Sequence, residues 1–254
     1  MILESFRLDG KNALVTGSTR GLGAAIALAL AEAGANVGVH GRAPRSEVSC
    51  SRIRELGRNS FYFGGDLADS QTCSNLIRRT IDEFGSIDIL VNNAGMIRRA
   101  PAVEYSLVDW NALISVHLTA VFQLSQLAGQ HMLQRGSGGK IVNVASLLSF
   151  QGGILVPAYA AAKGGVAVLT KSLANEWASK GINVNAIAPG YMVTDNTEAL
   201  RNDPIRSRQI LDRIPAGRWG TPSDLAGAAV FLCSSASDYV HGHVLVIDGG
   251  WLGR

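Results

Sequence analysis

The stretch Ala13-Leu14-Val15-Thr16-Gly17-Ser18-Thr19-Arg20-Gly21-Leu22-Gly23 runs from an apolar β-type segment, through three glycines, into an Ala-rich helical pattern. A backbone that turns sharply from strand to helix and lets a phosphate approach closely needs glycine, and the start of the helix presents free N–H groups and a partial positive charge. The spacing differs from G-x-G-x-x-G, and glycine also serves plain turns. The strand–turn–helix setting favours a pyrophosphate cradle at Gly17, Gly21 and Gly23.

Outward from that stretch, apolar β-type runs alternate with helical patterns to the end of the chain, which predicts repeated βα units. The expected strands are 13–16, 36–39, 60–63, 87–91, 140–144, 183–188 and 244–247, and the expected helices 22–33, 46–56, 71–84, 107–134, 157–179 and 223–234. In the third helix Leu76, Ile77, Ile81 and Phe84 share one face. Gly34 and Gly181 read as helix C-caps. The fold expected is α/β: a single doubly wound Rossmann-type domain, 1–254, with a seven-stranded parallel sheet flanked by helices. Segment 191–221 shows no strand and only a weak helical pattern between Pro189-Gly190 and Gly220-Thr221-Pro222, and is read as a lid over the site.

With 254 residues, 47% hydrophobic and 17% charged, the chain supports one well-buried domain rather than two. Residues 1–10 lack the apolar core of a secretory signal, and the longest apolar run, 22–31, is too short to span a bilayer. Three cysteines without metal-ligand spacing fit reduced thiols, so a cytoplasmic location is expected. The net charge of +3 comes without a Lys/Arg run, which argues against a nucleic-acid partner. His241 and His243 flank Gly242 with no third ligand in view, and no metal is assigned.

Tyr159 and Lys163 are four residues apart and emerge from one helix face. An ammonium ~4 Å from a phenol, at an effective dielectric near ~20, favours the phenolate by up to ~4 kcal/mol, which would let Tyr159 exchange a proton with a substrate oxygen near neutrality. Ser146, ending the fifth strand, offers a hydroxyl to the same oxygen. The second strand ends His40-Gly41-Arg42, where an Asp or Glu would bind the ribose of NAD; none is present, and Arg20 and Arg42 suit a 2′-phosphate instead. NADP(H) is therefore preferred, with NAD(H) possible. Asp66-Leu67 and Asn92-Asn93-Ala94-Gly95 lie at strand carboxyl ends, where open parallel sheets bind ligands.

Thr16-Gly17-x-x-x-Gly21-x-Gly23, Asn92-Asn93-Ala94-Gly95, Ser146, Tyr159-x-x-x-Lys163 and Pro189-Gly190-x-x-x-Thr194, in this order over nearly the whole length, resemble the short-chain dehydrogenase/reductase family. Ile97-Arg98-Arg99, 148–153, 188–192, 214–220 and 248–252 are similar to that family's bacterial sugar-acid dehydrogenases, whose substrates are of the 2-deoxy-D-gluconate or 2-dehydro-3-deoxy-D-gluconate type.

The resemblance implies Tyr159 as acid/base, Lys163 on the nicotinamide ribose and lowering the Tyr159 pKa, and Ser146 polarising the substrate oxygen. It implies cofactor contacts from Gly17, Thr19, Arg20, Gly21, Leu22, Gly23, His40, Gly41, Arg42, Asp66, Leu67, Asn93, Ala94, Gly95, Tyr159, Lys163, Pro189, Gly190, Met192 and Thr194. Where the family usually has Asn in a Val-Asn-Leu segment, this chain has Val116-His117-Leu118, and His117 is expected to take the place of that Asn in the proton relay. An anionic sugar acid or keto acid needs a cation near the nicotinamide: Arg98, Arg99 or Arg218, with Gln151 and Trp219 completing the pocket. A homotetramer is implied through helices 107–134 and 157–179. Oxidoreduction of another ketone or uronate-derived substrate, or non-catalytic dinucleotide sensing, fits the same fold.

Overall fold

Short runs of Val, Ile, Leu and Ala line up side by side in one parallel sheet because helices on both faces shield them from water. A computed structural model describes residues 1–44 and 46–254. Among these, the strands are β1 Asn12–Val15, β2 Asn36–Gly41, β3 Ser60–Gly64, β4 Ile89–Asn92, β5 Gly139–Val144, β6 Ile182–Pro189 and β7 Val244–Ile247. Their order is β3-β2-β1-β4-β5-β6-β7, and every pairing is parallel. The order reverses between β1 and β4, where ligands bind beyond the carboxyl ends of the strands. All seven expected strands are present.

The helices are α1 Gly21–Glu32, α2 Val48–Glu55, α3 Ser70–Phe84, α4 Leu107–Ile114, α5 Ala120–Arg135, α6 Pro157–Trp177, α7 Glu198–Asn202, α8 Pro204–Leu211 and α9 Ala226–Cys233. One face of the sheet packs Ile26 and Leu30 of α1 and Leu232 of α9 on Val37 and Val39. The other packs Leu76 and Ile77 of α3, Leu124 and Met132 of α5 and Trp177 of α6 on Leu90, Ile141 and Val184. Gly34 (φ +120°) and Gly181 (φ +77°) take the positive φ that ends a helix without a Cβ clash.

Two expectations need correction. Stretch 107–134 is not one regular helix: a π-turn, Ser115–Thr119, separates α4 from α5 and carries His117. By length and composition Leu107–Arg135 is apolar enough to cross a bilayer, but half of its most apolar window is buried in the protein, as in a core helix. Segment 191–221, read as nearly structureless, contains α7 and α8, each entered from a polar cap residue, and a parallel bridge Met192–Gly220 ties its two ends together.

Candidate active site

β5 delivers Ser146 to the carboxyl edge of the sheet, and α6 begins with Pro157 at its first turn, where the missing N–H costs nothing. Tyr159 and Lys163 follow on one face of that helix. Lys163 is buried, and its Nζ donates to the carbonyl of Val144 at the end of β5. Burial holds the ammonium down at about 8. Nζ lies 5.6 Å from the centre of the Tyr159 ring. Burial pushes the Tyr159 phenol up; contact with the Ser146 hydroxyl and the charge of Arg99 pull it down. Lys163, expected to lower it, is not among these influences; its Nζ is turned to the Val144 carbonyl.

His117 stands edge-on to Tyr159, with ring centres 5.0 Å apart and planes at 80°. It is 2% exposed. Its Nε2 lies 2.7 Å from the Met96 carbonyl and 3.0 Å from the Met96 N–H, and its buried Nδ1 has no partner. Burial first, then the charge of Lys163, lowers its pKa to about 3, so the ring is neutral. It thus ties the π-turn to the loop after β4.

The glycine loop is stapled to that same loop. Thr16 Oγ1 accepts from the N–H groups of Asn93 (2.9 Å) and Ala94 (3.0 Å), while Asn93 Nδ2 donates to the carbonyls of Thr16 (2.9 Å) and Gly17 (3.0 Å). A Cβ on Gly17 would meet Ala94 Cα at 2.7 Å, and one on Gly23 would meet the Gly17 carbonyl and Asn93. Gly21, at φ +56°, faces open space with only Thr194 Cγ2 at 4.0 Å. No side chain caps the start of α1 and no acid stands in its first turn. Close-packed glycines behind and open N–H groups in front suit a pyrophosphate.

Around the cradle, side chains sort into holders and free groups. His40, expected at the cofactor, is 2% exposed; its Nδ1 accepts from Gly17 N–H (3.2 Å) and its Nε2 reaches the Gly65 carbonyl (3.1 Å). It is a neutral strut between two loops, with its pKa lowered by burial to about 4. Leu67 and Met192 are buried in apolar clusters, and Met192 packs its sulfur against Gly220. Asp66 accepts from Ala68 N–H. Arg42 is exposed beyond Gly41, without an ion pair among the described residues. Arg20, expected at the 2′-phosphate, pairs with Asp195 at 3.1 Å, reaching from the glycine loop to segment 191–221. A buried chain of Asn92, Ser125, Asn143 and Thr170 ties β4, β5, α5 and α6 beneath the site.

The three candidate carboxylate anchors separate. Arg218 is held bidentate by Asp224 at 2.7 and 2.8 Å. Arg98 faces Asp109 at 3.6 Å. Arg99 pairs with no carboxylate among the described residues, donates to the Asn196 carbonyl (3.1 Å), and acts electrostatically on both Tyr159 and Tyr191. Trp219 stands edge-on to Tyr191, and Gln151 meets Trp251. Tyr191, Arg213 and Trp251 had no assigned role in the sequence; the 188–192 and 248–252 stretches pointed to Tyr191 and Trp251, and nothing pointed to Arg213.

A phosphate cradle at a sheet switch point beside a Ser, Tyr and Lys set defines a dinucleotide-dependent oxidoreductase. The chain belongs to the short-chain dehydrogenase/reductase family: the family model for enoyl-(acyl carrier protein) reductase matches residues 17–252. It is 53% identical, over the full length of both chains, to 2-dehydro-3-deoxy-D-gluconate 5-dehydrogenase of Escherichia coli K12. It is 52% identical to the Bacillus subtilis protein of the same name, covering 99% of this chain and 98% of that one. Among solved structures, a gluconate 5-dehydrogenase from Burkholderia cenocepacia in complex with NADP and tartrate superposes with a TM-score of 0.95 at 42% identity, covering both chains fully.

Proposed function

We propose that this protein interconverts a secondary alcohol and a ketone on a small sugar acid of the 2-dehydro-3-deoxy-D-gluconate or 2-deoxy-D-gluconate type, with NADP(H) preferred over NAD(H). When bound, the nicotinamide ring takes up or gives the hydride. Tyr159 receives the hydroxyl proton during oxidation and returns it to the carbonyl oxygen during reduction, and Ser146 holds that oxygen. Burial favours the protonated phenol, the state that donates in the reducing direction, while contact with Ser146 and the charge of Arg99 favour the phenolate that accepts the proton in oxidation. Lys163 fixes the end of β5 and carries its charge below about 8.

The cofactor would be held by the glycine loop and the open N–H groups of α1, with Arg42 at a 2′-phosphate. The relative bound to NADP supports this, as does the lack of an acid at the end of β2. Segment 191–221 acts as the lid of the single domain, latched by Arg20 to Asp195 and by Arg99 to Asn196. Exposed apolar side chains Leu107, Val108, Phe122 and Val168 on α4, α5 and α6 support a homotetramer. The three buried, unpaired cysteines support a cytoplasmic setting.

The observation that carries the substrate class is Arg99, a guanidinium without a carboxylate partner among the described residues and close enough for its charge to act on Tyr159. The test is turnover of sugar acids, keto acids, uronate-derived ketones and neutral ketoses with both cofactors. Sugar acids with NADP(H) are expected to give the highest kcat/KM; a neutral ketone turned over better than every acid refutes the reading.

A further inference from the structure

The C-terminal tail takes an unusually constrained path. Gly249 (φ +66°) and Gly250 (φ +93°) turn it against the loop before Gly217: a Cβ on Gly249 would meet Ile214 Cγ2, and one on Gly250 Pro215 Cγ, each at 2.9 Å. Asp248 accepts from the N–H groups of Gly250 and Leu252, both at 2.8 Å. The tail therefore delivers Trp251 to one place, where it is 5% exposed and packs in a cluster with Leu147, the neighbour of Ser146.

Three groups converge on that indole. Tyr191 packs against it with ring centres 4.6 Å apart, and the Arg213 guanidinium lies 4.1 Å from its ring centre. Its Nε1–H donates to Gln151 Oε1 at 3.3 Å. An indole nitrogen can only donate, so it selects the carboxamide oxygen and turns the amide's two N–H donors away from itself. Gln151 is five residues beyond Ser146, on the loop that leaves β5.

We propose that Trp251 is a positioning residue for substrate specificity: it fixes Gln151 as a hydrogen-bond donor to a hydroxyl or carboxylate oxygen at the substrate end remote from the reacting carbon. With Tyr191 and the stacked Arg213 it forms the wall that limits substrate length. This assignment rests on the sugar-acid reading above, and it adds to that reading a residue outside the Ser146, Tyr159 and Lys163 set.

The test is a double-mutant cycle on whichever alcohol–ketone pair the wild-type protein turns over fastest. Trp251→Phe keeps an aromatic wall and removes the N–H; Gln151→Ala removes the amide. Each is expected to raise KM about fivefold, the worth of one hydrogen bond, with kcat and NADP(H) affinity nearly unchanged. Because Trp251 acts through Gln151, the double variant should be little worse than Gln151→Ala alone. Gln151→Glu still accepts from the indole but has no N–H, so it should raise KM without unfolding, which keeps the test open if Trp251→Phe folds poorly. An unchanged KM for Gln151→Glu, or fully additive effects in the cycle, overturns the proposal. A wild-type preference for a neutral ketone would instead defeat the sugar-acid reading, and the cycle would still be read on that ketone.

Discussion

The imidazole of His117 occupies the space that a Cβ on Gly95 would need: Cε1, Nδ1 and Nε2 are the three atoms nearest to that position. Neither side can yield easily, because the ring is fixed at Met96 and buried in the π-turn. Gly95→Ala is expected to destabilise by about 1–3 kcal/mol through overpacking. His117→Asn, with a smaller side chain, should restore part of the loss. Melting temperatures of the two single variants and the double variant decide the matter; an unshifted Gly95→Ala contradicts the packing.

Acid should weaken the fold through two histidines. His40 and His117 are held neutral at about 4 and about 3, against 6.5 for a free imidazole. Below pH 6.5 the unfolded chain therefore binds protons that the folded chain refuses, and stability falls as pH drops. At pH 5 each would cost about 2 kcal/mol. His40→Gln and His117→Asn should flatten the dependence of melting temperature on pH between 7 and 5. Slopes equal to the wild type would show that these rings are not the cause.

Removing one oxygen isolates the proton transfer. Tyr159→Phe should lower kcat by at least ~10²-fold, the scale of general acid/base catalysis, while NADP(H) affinity survives because the fold beneath it is untouched. Stopped turnover with intact cofactor binding is the expected pair of results, and near-normal kcat would exclude Tyr159 as the acid.

Arg42 is the exposed cation beyond Gly41, while Arg20 is engaged by Asp195. Arg42→Ala should weaken NADP(H) about tenfold or more and leave NAD(H) nearly unaffected, since a charge-assisted contact contributes about 1.5–3 kcal/mol. Titration with both cofactors reads this directly; equal losses would remove Arg42 from the 2′-phosphate.

Arg99 and Arg218 should part company. Arg99→Met is expected to raise KM for an acid strongly and spare a neutral analogue of the same length. Arg218→Met breaks the bidentate pair with Asp224, whose carboxyl that pair holds well below its usual range, and should leave the acid-over-neutral ratio unchanged. The reverse pattern would move the anchor to Arg218.

The strands were legible because a parallel sheet buried on both faces demands uninterrupted apolar runs, and β1, β4 and β6 are buried at every position. That Tyr159 and Lys163 share one helix face was legible from spacing, while Ser146 was read from the end of β5 and from the family resemblance. What a guanidinium grips was not: Arg20, Arg98 and Arg218 find Asp195, Asp109 and Asp224 through tertiary placement. His40 was read as a cofactor contact because its strand end points there, yet the ring turns inward between Gly17 and Gly65. A π-turn leaves almost no trace in apolar periodicity, so the break at His117 was hidden. α7 and α8 are short, polar helices, of which only α8 has a side-chain cap, from Asp203, and periodicity alone gave only a weak pattern.

The staple between Thr16 and Asn93 joins residues 77 apart in sequence. A peptide ending before β4 has the glycines and the His40 strut but lacks the Asn93 staple, so on the ribosome the dinucleotide pocket is incomplete until the fourth strand has emerged. Such distant pairing carries a loop-closure cost that slows folding. The nascent chain therefore spends that interval with β1 unpaired on one side, and a nucleotide can speed maturation only after Asn93 has docked.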